Sequence, residues 1–264
     1  MKKIPVLNRQ LCLLLMLSAS VLLSSCAAVT APDKRDPWES FNRSVDAFNQ
    51  DFDRAIARPV AETYKDYTPN VVQTGVSNFF SNLDDILVTI NDLLQFKFKQ
   101  AAQDFSRFAF NTTAGLLGFI DVSSHMDLPK HDEDFGQTLA TWGVGSGPYL
   151  VVPFLGPHTV RSTTGMVADW QIDPVYTITD TEARWSAIIL RAVDTRVSLL
   201  EATKLMEKSG IDPYVFMRNA YLQHRDNLVY DGHPPKPKIE APSKSDLELE
   251  QELDQELQLD APSK

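Results

Sequence analysis

Cysteine is scarce in this chain: Cys12 and Cys26 are the two it has. Cys12 lies inside an N-terminal segment laid out like a cleaved signal, and Cys26 stands at its end. The rest of the chain therefore has no disulfide, thiolate metal site or catalytic cysteine. Positive charge is also short, with 25 Lys and Arg against 35 Asp and Glu and a net charge of −10. An acidic protein is a poor partner for nucleic acid or for anionic lipid surfaces. The apolar stretch Leu11 to Leu23 falls short of the ~20 residues a spanning helix needs. Catalytic patterns are missing as well. There is no His-Glu-x-x-His, and Gly143-Val144-Gly145-Ser146-Gly147 fits neither Gly-x-Ser-x-Gly nor a phosphate cradle. His131-Asp132-Glu133-Asp134 is the best metal candidate, but consecutive side chains diverge, so it reads as a solvated acidic loop. These absences argue against an enzyme, and no metal or other cofactor is expected.

What is present begins with Lys2, Lys3 and Arg9, then the apolar Leu11 to Leu23, then Ser24-Ser25-Cys26. This order is that of a secretory signal. Leu22-Leu23-Ser24-Ser25-Cys26 resembles a bacterial lipobox. The resemblance implies that residues 1–25 are removed and that Cys26 carries the lipid. Ala27 and Ala28 follow where an Asp would hold such lipoproteins in the inner membrane, which points to the outer membrane. Two or more acyl chains anchor stably, at ~0.8 kcal/mol per buried CH₂. Losing Lys2, Lys3 and Arg9 with the signal takes the net charge from −10 to −13.

The other end is Pro- and Lys-rich from Gly232 to Pro242, and then acidic without aromatics. Such a segment cannot bury enough apolar surface to order itself. Residues 232–264 are therefore expected to form a disordered tail, although Leu247, Leu249, Leu253, Leu257 and Leu259 allow a weak amphipathic helix. Residues 26–35 read as a linker. Residues 36–231 are one domain's worth of chain, long enough for a core.

That domain reads as all-α, with seven to nine helices. Asp36-Pro37-Trp38-Glu39 looks like a helix start with Asp as N-cap. Phe41, Val45, Phe48, Phe52 and Ile56 then lie on one face, and Pro59 ends the run. Thr68-Pro69 and Asp212-Pro213 mark further starts. Val72, Val76, Phe79, Phe80 and Leu83 give another face, as do Ile86, Ile90, Leu93 and Leu94. Phe98, Ala102, Phe105, Ala109 and Thr112 continue the pattern. Thr181 to Ser209 is the longest candidate helix, stopped by Gly210.

One segment does not fit a soluble helical domain. Phe135 to Val160 is 26 residues without a formal charge, interrupted by Gly136, Gly143, Gly145, Gly147, Pro148, Pro153, Gly156 and Pro157. A second uncharged run covers Phe108 to Ile120. A buried core loop is one reading. The other is a lipid-touching hairpin or bent wall, because irregular backbone is tolerated at membrane depth where it lines a cavity.

The motifs also resemble a family, that of the MlaA (VacJ) lipoproteins. The matching stretches are Asp36 to Arg43, Asn78 to Leu83, Leu94-Gln95, Arg107 to Gly115, Asp134 to Leu139, Trp142 to Gly145, Gly147 to Pro153 and Leu155-Gly156-Pro157. Two departures are Ser162 after Arg161, near where the family often carries an Asp, and the long tail. The resemblance implies a single ring-like helical body embedded in the inner leaflet of the outer membrane, associated with a trimeric porin. It implies passage of outer-leaflet phospholipids through an amphipathic channel to a periplasmic carrier, which maintains lipid asymmetry without a chemical step. On residues alone, a periplasmic lipid hydrolase and a structural envelope lipoprotein remain as alternatives.

A lipid handler needs a polar path for the head and an apolar surface for the tails, since an unpaired charge in hydrocarbon costs many kcal/mol. Asn78, Asn82, Gln137, Thr138, Ser146 and Tyr149 are expected on the head-group side. Phe79, Phe80, Leu116, Leu117, Phe119, Trp142, Leu150 and Phe154 are expected to face membrane or tails. Gly143, Gly145 and Gly147 are expected to serve backbone geometry.

Overall fold

The computed structural model describes residues 33–208 and 212–235. Cys26, Gly210 and the tail beyond Pro235 lie outside them. Helix α1 is Glu39–Phe52, and a π-helical turn, Asp53–Ala57, joins it to α2, Arg58–Tyr67. Helix α3 is Asn70–Leu94, α4 is Phe98–Thr113 and α5 is Phe135–Thr141. Strands β1, Tyr149–Val152, and β2, Gly156–Thr159, form an antiparallel hairpin. Then come α6, Val160–Asp169; α7, Thr181–Lys208; and α8, Pro213–Val229. The fold is all-α, with the hairpin as its one sheet among the described residues.

Several helix signals act as the sequence suggests. Asp212 accepts the Tyr214 and Val215 amides, with Pro213 opening α8. A cap that the sequence analysis does not mark is the reciprocal capping box of Thr159 and Ser162 at the start of α6. Two signals act otherwise. Pro59 does not end the first helix. The π-turn before it lets the Arg58 amide reach back to the Asp53 carbonyl, and Pro59 then sits in the first turn of α2, where its missing N–H costs nothing. Asp36 is not a cap either, since α1 begins at Glu39 with Trp38 before it. The Asp36 carboxylate is buried instead, accepting from Tyr214 Oη at 2.5 Å, Asn42 Nδ2 at 2.8 Å and Arg218 Nη1 at 3.0 Å.

The packing closes a circuit. Helix α1 packs on β1, β2 on α6, α6 on α5, α5 on α3, α3 on α7, α7 on α2, and α2 returns to α1 through the π-turn. Helix α4 lines α3 from the side, and α8 lies across β2 and α5. The body is thus a ring of elements with two small apolar clusters. One is Tyr149, Val151, Tyr214 and Leu222; the other is Val76, Phe80 and Val175.

Val88 and Leu200 are buried apart from these clusters, but most of the rest of the interior is polar, and this inverts the expected faces. On α1 the stripe of Phe41, Phe48 and Ile56 points outward, Phe41 being 58% exposed, while Asn42 is fully buried. On α4, Phe98 and Phe105 are exposed and Asp104, Arg107 and Asn111 are buried. On α3, Leu93 is exposed and Asn82, Asp85, Asn91 and Asp92 are buried. A soluble domain sorts its residues the other way. No helix among the described residues is long and apolar enough to cross a membrane.

Candidate lipid-contact surface and polar cavity

The outward apolar surface gathers at loop tips. Gly115 to Ile120 turns back from the end of α4 against α3. Asn78 Nδ2 donates to the Phe119 carbonyl at 3.1 Å, and Asn82 Nδ2 donates to Thr112 Oγ1 at 2.9 Å. Phe79, Phe80 and Phe119 stack around the join. Leu116 and Leu117 stand at its tip with φ of 53° and 60°, and Gly118 follows at 92°. Two leucines in the left-handed region carry strain of about 1–2 kcal/mol each. They are also 67% and 65% exposed. A strained pair of large apolar side chains held out from the body makes this tip a candidate contact surface.

The hairpin makes a second tip. Phe154, with φ of 66°, sits edge-on to Phe48 and Phe52 at 5.2 and 5.0 Å, and its amide donates to Asn49 Oδ1. Trp142 is exposed beside Phe135, with its Nε1 donating to the Leu94 carbonyl. Leu150 lines a shallow groove of about 340 Å³ with Val160, Thr163, Thr164 and Val167. Gly143 and Gly147 take φ of 89° and 68°, which glycine adopts at no steric cost. Gly145 has open space around it and no left-handed φ, so geometry does not require glycine there.

Two expectations are corrected. Tyr149 does not lie on a head-group path. It is 1% exposed, packed edge-on to Tyr214 and Tyr221 in the core, because β1 turns it inward under α8. Phe80 is likewise core, beneath Val175. Of the other polar residues, Thr138 is buried with its Oγ1 donating to Asn91 Oδ1 at 2.8 Å, and the Ser146 carbonyl accepts the Arg161 amide. Gln137 does reach a cavity.

That cavity is one of two that meet. The first, about 340 Å³, lies between β2, α5, α6, α7 and α8 and is lined by Asp134, His158, Asp169, Trp170, Asp173, Tyr176, Arg191 and Arg225 among others. The second, about 290 Å³, shares Asp134 and Asp169 with it and adds Asp84, Asp132, Glu133 and Gln137. Its charges are held by pairing. Asp134 caps α5 through the Gln137 amide at 2.8 Å and pairs with Arg225, Nη2 to Oδ1 at 3.0 Å. Burial opposes its charge, but Arg225 and the α5 amides together hold its carboxyl below the ordinary value. Arg191 joins Asp173, at 2.6 Å, to Asp84. Burial outweighs Arg191 at Asp84 and pushes that carboxyl up to about 6. Burial also makes His158 harder to protonate.

The acidic run 131–134 is therefore not a solvated loop. His131 pairs with buried Asp104 at 2.7 Å, Glu133 with Lys97 at 2.7 Å, and Asp134 with Arg225. Residue patterning missed this polar interior. Asp104, Arg107 and Asn111 recur every three or four residues opposite the Phe face. Spacing reveals an amphipathic helix, but it does not say which face turns inward.

Comparisons with known proteins agree with this arrangement. The family model for the MlaA lipoprotein matches residues 34–228. The intermembrane phospholipid transport system lipoprotein MlaA of Escherichia coli (strain K12) is 37% identical over 81% of this chain and 86% of its own length. Its Haemophilus influenzae counterpart is 32% identical over 82% of this chain and 89% of its own. A chain solved in work on the structural basis for maintenance of bacterial outer membrane lipid asymmetry superimposes with a TM-score of 0.65 at 34% identity, covering 74% of this chain and 98% of that one.

Proposed function

The chain belongs to the MlaA lipoprotein family, and from that premise we propose that it removes phospholipids misplaced in the outer leaflet of the outer membrane. It lies in the inner leaflet, anchored through lipid on Cys26 on the periplasmic side. Heads pass through its polar interior while acyl chains stay against its apolar exterior. A periplasmic lipid carrier receives the lipid, and a trimeric porin holds the body in place. No bond is made or broken, so no catalytic residue is assigned.

The inverted packing is the observation that carries this reading. Phe41, Phe105, Leu116, Leu117, Trp142 and Phe154 are exposed while Asn42, Asn91, Asp104 and Arg107 are buried. A chain surrounded by water gains nothing from that arrangement, whereas one surrounded by hydrocarbon gains from both halves of it. The polar cavity gives a head group fixed partners at depth, and without them its charge would be costly to move.

Detergent-free extraction followed by mass spectrometry of bound lipid and protein tests the proposal. Phospholipid together with a trimeric porin is the expected content. Recovery with peptidoglycan and without lipid would instead make the chain a structural linker, and release of free fatty acid from added phospholipid would make it a hydrolase.

A further inference from the structure

The two joined cavities differ in chemistry from end to end. Arg191 and Arg225 line the first. The second is lined by the carboxylates of Asp84, Asp132, Glu133, Asp134 and Asp169, with His224 its one basic residue among the described residues. Asp84, Glu133 and Asp134 have cations of their own in Arg191, Lys97 and Arg225. Asp169 does not. Its Oδ1 accepts from Asn91 Nδ2 and its Oδ2 from the Phe135 amide, both neutral donors at 3.1 and 3.0 Å. Burial without a cation therefore raises its carboxyl above the ordinary value.

Gln137 supplies an independent sign. It is 2% exposed and lines the same cavity, and its Nε2 donates to the Asp132 carbonyl at 2.9 Å. Its Oε1 is buried and accepts from no donor among the described residues. A buried acceptor left empty loses its hydration without replacement, so such an atom calls for a partner. An unpaired carboxylate and an empty acceptor on one wall ask for the same thing, a cation that carries N–H groups. On the shared side, Trp170 and Tyr176 stack at 5.4 Å and add aromatic surface suited to a cation.

We propose that Asp169 and Gln137 bind the primary ammonium group of an ethanolamine phospholipid head, whose phosphate lies toward Arg191 and Arg225. This rests on the lipid-path reading and adds a substrate class to it. A head with a primary amine gains a charge partner and an N–H donor. A glycerol head offers hydroxyls without charge, and a choline head offers charge without N–H.

The test uses the full chain in detergent and the water-soluble probes glycerophosphoethanolamine, glycerophosphocholine and glycerophosphoglycerol, with binding read by calorimetry. Glycerophosphoethanolamine should bind about ten-fold tighter than either other probe, the difference expected of one charge-assisted hydrogen bond. Asp169→Asn and Gln137→Met should each remove that preference while circular dichroism shows the variant folded as the parent. Equal binding of all three probes by the unaltered chain overturns the proposal without any variant, and so does a preference that survives both substitutions. Calcium competing away the amine probe as well as ethanolamine does would also overturn it, by making the site a general cation site. Phospholipid co-purifying without head-group preference would leave the transport reading standing while this one falls.

Discussion

The side chain of Asn42 bonds to both sides of one strand position. Its Oδ1 accepts the Val151 amide at 2.9 Å, and its Nδ2 donates to the Tyr149 carbonyl at 3.1 Å. Helix α1 thereby covers the free edge of β1 as a third strand would, and this edge bonding lets a two-stranded hairpin join the ring. Asn42→Leu would leave an amide, a carbonyl and the Asp36 carboxylate short of partners in a buried place. A loss of about 2–4 kcal/mol is expected, read as a lower urea midpoint with the slope unchanged. A midpoint within error of the parent would mean that the hairpin is held otherwise.

Asp92 gives a prediction with a pH sign. It is fully buried, and neither of its oxygens accepts a hydrogen bond. Burial, and then the charge of Asp104, push its carboxyl above the ordinary 3.8. The folded chain therefore keeps this proton to higher pH than the unfolded chain does. The stability it contributes is complete below 3.8 and is lost as pH rises through the raised folded value. Asp92→Asn should stabilise the protein at neutral pH by about 1–3 kcal/mol, and the gain should shrink toward zero near pH ~4. Urea melts at the two pH values check this, and an equal difference at both would refute it.

The tip at Leu116 and Leu117 separates membrane contact from folding. Asparagine tolerates the left-handed backbone better than leucine. The double change to Asn should leave thermal stability equal or slightly higher. Binding of the unlipidated body to phosphatidylethanolamine-containing vesicles should weaken by about a hundred-fold or more, since two exposed leucines each add about 1.5–3 kcal/mol on full burial and about 1.4 kcal/mol is a factor of ten. Unchanged vesicle binding would show that these tips do not enter the bilayer.

Much of the helix layout was legible in the residues. Asp212-Pro213 and Thr68-Pro69 mark real starts because a fixed proline φ suits the edge of a helix. Pro59 misled because a π-turn upstream absorbed its missing amide, and no local residue announces such a turn. Asp36 misled because its partners Tyr214 and Arg218 lie far along the chain. The apolar stripes were found, yet their direction was not legible, because periodicity alone does not name the solvent around a helix. At the site, Leu116, Leu117, Trp142 and Phe154 are exposed and Leu150 is half-buried. Arg225, Asp169 and Arg191 were not anticipated, since the cavity exists only once α6, α7 and α8 meet. Cys26, the expected lipid site, and residues 236–264 lie outside the described residues.

Met166 lines the polar cavity beside Asp169 and Trp170, and a larger ring there would fill it from a side chain that carries no charge. The most direct measurement is therefore made on cells that lack their own lipoprotein of this family. Phosphatidylethanolamine exposed at the cell surface is labelled by an impermeant amine reagent, with protein abundance followed by immunoblot. The chain should lower the labelled lipid, and Met166→Trp at equal abundance should not. Labelled lipid left high by the unaltered chain, or lowered equally by the filled variant, would contradict passage of phospholipid through this body.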